Sequence, residues 1–258
     1  MLKKLGQFVL NSNLFLAVSA FVFVAGVNKD YSGNLNYSAG VFFAILGVYN
    51  FHRLIKLRQG KLQVNILIRT EKHSTFLWII SVLSLMLSVV FLAPQFVEKL
   101  QVLGIFATLL LISISYVVLK IREIPLIKAV LIAFCWMMVA TVIPDYSHSS
   151  LETHSFFSFF LFLGLTIPAD IKDLNFDSKS LKTIPQIIGI NVAIVVSFVF
   201  VSAYIFLHNS AFNLTFSVQL FGLFWLLLAY FFYFRNAKFR IELVDGILLI
   251  FGLSFWLN

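Results

Sequence analysis

Apolar runs of about twenty residues alternate with short polar stretches along the whole chain. That length is what a helix needs to cross the hydrocarbon core of a bilayer. Lipid offers no partner to backbone N–H and C=O groups, so such runs are expected to be helices. Nine can be drawn: Phe8–Val27, Tyr37–Ile55, Phe76–Ala93, Val97–Leu119, Pro125–Ile143, Leu151–Ala169, Ile184–Leu207, Phe212–Phe234 and Ile241–Leu257. The last is short and is interrupted by Asp245 and Gly246. Lys3 and Lys4 before the first run imitate a signal peptide, but no small-residue cleavage site follows and the run is long enough to be a retained helix. The expected fold is all-α: a polytopic membrane bundle of about nine transmembrane helices, forming one domain over residues 1–258.

The polar stretches are unequal. If the N-terminus is cytoplasmic, every one of the 19 basic residues except Lys29 and Lys99 falls on the cytoplasmic side. The excess of Lys and Arg on one side sets orientation, N-terminus in and C-terminus out. It also explains the formal charge of +8, so no nucleic-acid partner is expected. Hydrophobic residues make up 60% of the 258 residues, charged residues 12%, and mean hydropathy is +0.97, which excludes a soluble domain. The single cysteine, Cys135, lies within an apolar run and excludes a disulfide framework or thiolate metal site. The opposite connections, among them Pro94–Phe96 and Pro144–Ser150, read as plain turns. Asn36-Tyr37-Ser38 and Asn213-Leu214-Thr215 match the glycosylation pattern, for which chance is account enough. The longest cytoplasmic connection, Leu57–Ser74, carries Val64, Leu67 and Ile68 among Lys61, Arg69 and Lys72. It reads equally as a short amphipathic helix on the headgroups or as a basic loop drawn to anionic lipid.

One cytoplasmic stretch carries candidate chemistry. Asp170, Asp173 and Asp177 recur at i, i+3 and i+7, so on a helix they share a face at the mouth of the sixth run. A solvated helix end explains one or two such carboxylates better than three, in a chain with only 11 acidic residues. Clustered carboxylates suit a hard divalent cation, Mg²⁺ above all, which commonly shares itself with a substrate phosphate.

Asp170-x-x-Asp173-x-x-x-Asp177 followed by Lys182-Thr183-Ile184-Pro185 resembles the second aspartate-rich motif of the UbiA-type intramembrane prenyltransferases. The carboxylates match position for position, while the tail lacks the family's Gly and is one residue shorter. Nine helices with the acidic motif after the sixth is also the arrangement this resemblance implies. The family's first acidic motif, Asn-Asp-x-x-Asp-x-x-x-Asp, should end the second helix. Here Asn50 stands, but the three aspartate positions are Phe51, Leu54 and Arg58.

The resemblance implies a fold, an activity and a site. An isoprenoid diphosphate would bind at the cytoplasmic mouth, and its prenyl group would pass to a hydrophobic, aromatic acceptor inside the bilayer. Asp170, Asp173 and Asp177 would hold Mg²⁺ and serve as the catalytic carboxylates. Asn50, Arg53, Lys56, Tyr116, Lys120 and Lys182 would hold the diphosphate, with Arg53, Lys56 and Arg58 supplying fixed positive charge in place of a second metal. The same three cations read almost equally well as ordinary residues flanking a span. His52 is a candidate proton carrier or simply a polar helix end. Phe51, Phe156, Phe157, Phe159 and Phe160, among 31 phenylalanines, could shield a developing allylic cation or merely pack helices. Leu57–Ser74 would cover the opening. The implied setting is quinone or lipid biosynthesis in the inner membrane of a bacterium. The alternative is a catalytically degenerate relative that binds isoprenoid or supports a membrane complex. A transporter ranks last, since the halves show no similarity and no acidic residue lies deep in a run.

Overall fold

The computed structural model describes residues 13–30, 34–59, 71, 73–118, 124, 126–144, 153–174, 182–208, 214–236 and 241–257. Every element among them is helical. In order these are α1 (Leu14–Val27), α2 (Asn34–Arg58), α3 (Ser74–Glu98), α4 (Leu100–Val118) and α5 (Ile127–Met137), which widens into a π-helical turn over Met138–Val142. There follow α6 (Thr153–Asp173), a short α7 (Ile184–Ile188), α8 (Ile190–His208), α9 (Leu214–Asn236) and α10 (Ile241–Ser254), closed by a 3₁₀ turn at Phe255–Leu257. Five helices, α2, α3, α6, α8 and α9, are long and apolar enough to cross a membrane.

Each apolar run contains a helix, with three departures. The turn expected at Pro94–Phe96 is helical: α3 runs through Pro94 to Glu98, and the break falls at Lys99, which is extended. The run Ile184–Leu207 is broken at Gly189, whose φ of 79° only glycine adopts cheaply, so α7 and α8 are separate. Finally, α6 does not stop at Ala169 but continues through Asp170 to Asp173. Residues 60–70, Asp177, Lys179 and Lys120 lie outside the described residues.

The chain divides into two compact units, Met1–Phe21 with Ser32–Leu119, and Val22–Tyr31 with Lys120–Asn258. In the first, α2 packs along α3. The buried stripe of α3, Leu77, Ser81, Ser84, Ser88 and Leu92, repeats every three to four residues and is small in its middle. Small residues let two backbones approach where hydrophobicity gives no drive between helices. The stripe meets Gly40 and Gly47 of α2: a Cβ on Gly47 would lie 2.8 Å from Leu85 Cγ. At this approach Ser81 Oγ donates to Gly47 O at 2.6 Å. The opposite face of α3 leaves Ile79, Val82, Leu83, Met86, Val89 and Val90 exposed. That apolar surface suits lipid and would be a liability in water.

In the second unit α6 is the central element, and Leu161 to Pro168 are buried without interruption. A helix buried all round is read as core. Pro168 cannot donate to Gly164 O, the carbonyl one turn earlier. Ser197 Oγ of α8 donates there instead, at 2.8 Å. The contact is close enough that a Cβ on Gly164 would come 2.8 Å from Val201 Cγ2 and 3.0 Å from Ser197 O. A Cβ on Gly26 of α1 would collide with the carbonyl of Gly252 in α10. The π turn of α5 leaves backbone carbonyls outside the regular ladder. Asn28 Nδ2 donates to Ala140 O at 3.0 Å, and Thr141 Oγ1 donates to Met137 O at 2.9 Å. Phe23 is fully buried, edge-on to Phe162 at 5.5 Å between ring centroids.

Candidate functional site

The extension of α6 carries Asp170 into the interior of the second unit. Its side chain is 2% exposed, and Nζ of Lys128, whose side chain is 12% exposed, lies 2.6 Å from Asp170 Oδ1. Lys128 is the second residue of α5, and Asp170 lies in the last turn of α6. Each charge therefore opposes the dipole of its own helix: an ammonium at a positive N-terminus, a carboxylate at a negative C-terminus. A buried ion is costly unless paired, and this ion pair offsets part of that cost for both. Asp173 and Lys172, a turn further on, are half-buried.

The tail of the acidic stretch returns to the same place. The Lys182 carbonyl accepts from the Leu126 N–H at 3.4 Å, directly before α5. Both residues hold positive φ, 43° for Lys182 and 61° for Leu126, a region non-glycine residues rarely occupy. Strain of this kind persists only where the surrounding structure dictates it, and it gathers at working sites. The Lys182 side chain is exposed. Beyond it, Gln186 Oε1 accepts from the Thr183 N–H at 3.0 Å, fixing the start of α7.

These residues fit a hard divalent ion by donor type, since the donors are carboxylate oxygens and an ammonium already stands on Asp170 as a cation. Among the described residues no three His, Cys, Asp or Glu side chains come together. The structure thus brings Lys128 to Asp170, a neighbour that the motif did not name. One signal could have found it: Lys128 falls inside the expected run Pro125–Ile143, and an ionisable residue within a span asks for a partner.

The other predicted residues belong to the first unit. Arg53 Nη2 donates to Asn13 Oδ1 at 3.0 Å, Asn13 Nδ2 donates to Asn50 Oδ1 at 3.1 Å, and Asn50 Nδ2 donates to Leu46 O at 2.8 Å. Asn50 is fully buried, so it acts on Arg53 through Asn13 and fixes where the guanidinium stands. Asn13 was not legible as a partner, since it lies 40 residues from Arg53. His52 Nε2 donates to Ser113 O at 3.1 Å, and the Tyr116 ring lies 6.4 Å from the His52 ring between centroids. Arg58, at the third expected aspartate position, lies over Trp78, 5.2 Å from the ring centroid. Lys56 is half-buried.

Every described element is helical, and together these helices have a specific architecture. That architecture is the UbiA-type prenyltransferase fold. The chain matches the apo structure of a UbiA homolog from Aeropyrum pernix K1 with a TM-score of 0.68, at 12% identity, over 95% of this chain and 96% of that one. It matches a UbiA homolog from Archaeoglobus fulgidus bound to GPP and Mg²⁺ with a TM-score of 0.57, at 14% identity, over 96% of this chain and 100% of that one. The DMAPP and Mg²⁺ complex from Archaeoglobus fulgidus gives 0.56, at 13% identity, over 96% and 98%. No family model and no curated protein sequence matches the chain. With five helices of membrane-crossing length and this fold, the chain is an integral, multi-pass membrane protein.

Proposed function

We propose that the protein is a membrane prenyltransferase that takes an isoprenoid diphosphate and passes its prenyl group to a hydrophobic, aromatic acceptor. The observation that carries this reading is the buried Lys128–Asp170 pair at the end of α6, within a fold whose relatives bind GPP and DMAPP with Mg²⁺. A carboxylate kept out of water at that position is expensive unless it has a cation to hold. Asp170, Asp173 and Asp177 are the residues that would hold Mg²⁺, which when bound supplies positive charge toward a leaving diphosphate. Lys182, whose side chain is exposed, adds a point charge. Asn50, Arg53, Lys56, Tyr116 and Lys120 keep the diphosphate-binding assignment that the resemblance gives them, with Arg53 aimed by Asn13 and Asn50. An arginine held in this way presents a fork suited to phosphate.

The whole chain, 1–258, acts as one UbiA-like domain in this reading, in keeping with coverage of 95–96%. It crosses the membrane about nine times with its N-terminus inside, in the inner membrane of a bacterium, and its acidic motif faces the cytoplasm. The distribution of Lys and Arg supports that orientation.

The test is product analysis on the purified full chain in lipid nanodiscs, with Mg²⁺, prenyl diphosphates of several lengths and candidate aromatic quinone precursors. Diphosphate release with a prenylated product is expected, lost in Asp173→Ala and weakened in donor affinity by Arg53→Ala. Binding without release would make the protein an isoprenoid-binding relative without turnover. Neither binding nor release with any donor would refute the reading.

A further inference from the structure

Among the described residues, Arg53 is held by neutral amides rather than by an acid. It lies about 7.5 Å inside the terminus of α2 at Arg58 and is half-buried. Asn13 takes one of its N–H donors, at 3.0 Å. Asn13 stands directly before α1, where an asparagine ordinarily caps the first helical amides; here its Oδ1 accepts from Arg53 instead. Its own amide goes to Asn50, which is fully buried and whose Nδ2 donates to Leu46 O. A buried amide must keep its hydrogen bonds, so this support fixes the direction of the guanidinium.

The unit has little acid to offer that cation. Residues 1–21 and 32–72 contain eight Lys and Arg, two at positions 3–4 and six from 53 to 72, against the single carboxylate of Glu71, which is exposed. The stretches 1–12 and 60–70, which lie outside the described residues, contain no Asp or Glu. The unit's other acid, Glu98, ends α3, about 30 Å along that helix from Trp78, on which Arg58 lies. Cations that merely set orientation keep their heads in water at the membrane surface. A half-buried arginine aimed by buried amides is prepared for an anion, because its ordering cost is met before binding.

Resting on the prenyl diphosphate reading, we infer that Arg53 is a phosphate site that works without a divalent ion. Its planar fork takes two phosphate oxygens of the donor. The donor is therefore held at α2 when no metal is present, and the metal serves departure of the diphosphate rather than its capture. Asn13 and Asn50 are positioning residues in this scheme, acting through Arg53.

The experiment measures geranyl diphosphate binding to the full chain in phosphatidylcholine nanodiscs by calorimetry, first with EDTA and then with Mg²⁺. The wild type should bind in EDTA, and geraniol, with the same tail and no phosphate, should bind at least about tenfold more weakly. Arg53→Met should lose about ten- to a hundredfold of the EDTA affinity. Asn13→Ala should weaken binding to the wild type and add nothing in Arg53→Met, as a residue acting through the arginine must. Asn13→Asp gives the guanidinium an acid of the same size, so it should weaken binding more than Asn13→Ala does. An amide with a purely structural role would show the reverse order.

Binding only in the presence of Mg²⁺ overturns the inference and leaves the prenyl diphosphate reading standing. Unchanged EDTA affinity in Arg53→Met also overturns it, and loss of bound phosphatidylglycerol from that variant in native mass spectrometry would then assign the arginine to a lipid headgroup. Where Arg53→Met does not fold, Asn13→Asp binding at least as tightly as Asn13→Ala overturns it. No geranyl diphosphate binding under either condition defeats that reading and this inference together.

Discussion

Consider the loss of one charge, then the other, then both. Asp170→Asn leaves Lys128 without the carboxylate on which it rests, and Lys128→Met leaves Asp170 without its ammonium. At 2.6 Å, the direct attraction is about 6 kcal/mol for an effective dielectric of about 20. Desolvation of the two ions consumes several kcal/mol of that, so the pair adds little net stability. Removing one partner is another matter, because the remaining charge stays buried; each single variant should lose about 3–5 kcal/mol. The double variant removes both charges and replaces them with groups of similar volume, so its loss should be far smaller, about 1 kcal/mol or less. The cycle therefore predicts a coupling energy of at least about 5 kcal/mol. Equilibrium unfolding of the four proteins by steric trapping in bicelles measures it. If the two single losses add to within about 0.5 kcal/mol in the double variant, the two charges are energetically independent and the ion pair is not what keeps Asp170 buried.

Two further outcomes test the packing that places α6. Gly164→Ala should destabilise by about 1–3 kcal/mol, since its Cβ meets Val201 and the Ser197 backbone. Gly104→Ala in α4, whose Cβ would meet nothing within 4 Å, should be neutral or stabilising by up to about 1 kcal/mol, and thermal unfolding of both separates crowding from helix propensity. Ser197→Ala should cost about 0.6 kcal/mol by removing the donor to Gly164 O. In a Pro168→Ala background the restored N–H can serve that carbonyl, and an equal Ser197→Ala loss in both backgrounds would contradict the compensation.

The apolar runs made the helices legible, because about twenty apolar residues in lipid have few other ways to satisfy their backbone. Their ends were less legible. Pro94 reads as a turn in any soluble pattern, yet α3 carries it within the helix. The end of α6 was missed because charged residues were read as outside the membrane segment, whereas a paired charge can continue inward. That pairing joins positions 128 and 170, and no local pattern encodes a contact between residues so far apart. The motif itself pointed correctly to this fold, while Asn13 beneath Arg53 and the π turn of α5 belong to tertiary structure alone.

The polarity of the Lys128–Asp170 pair is the feature that stability does not explain. Exchanging the two charges would keep the same attraction and would also place a carboxylate at the N-terminus of α5 and an ammonium near the C-terminus of α6. Both helix dipoles would then be satisfied, each by about 0.3–1 kcal/mol. The chain carries the less stable arrangement. A merely structural pair would have no reason to keep the carboxylate on α6, in line with Asp173 one turn on. The proposed function, in which α6 presents acidic oxygens to a divalent ion, supplies that reason. The sense of the pair, more than its presence, is what the proposed role of this end of α6 accounts for.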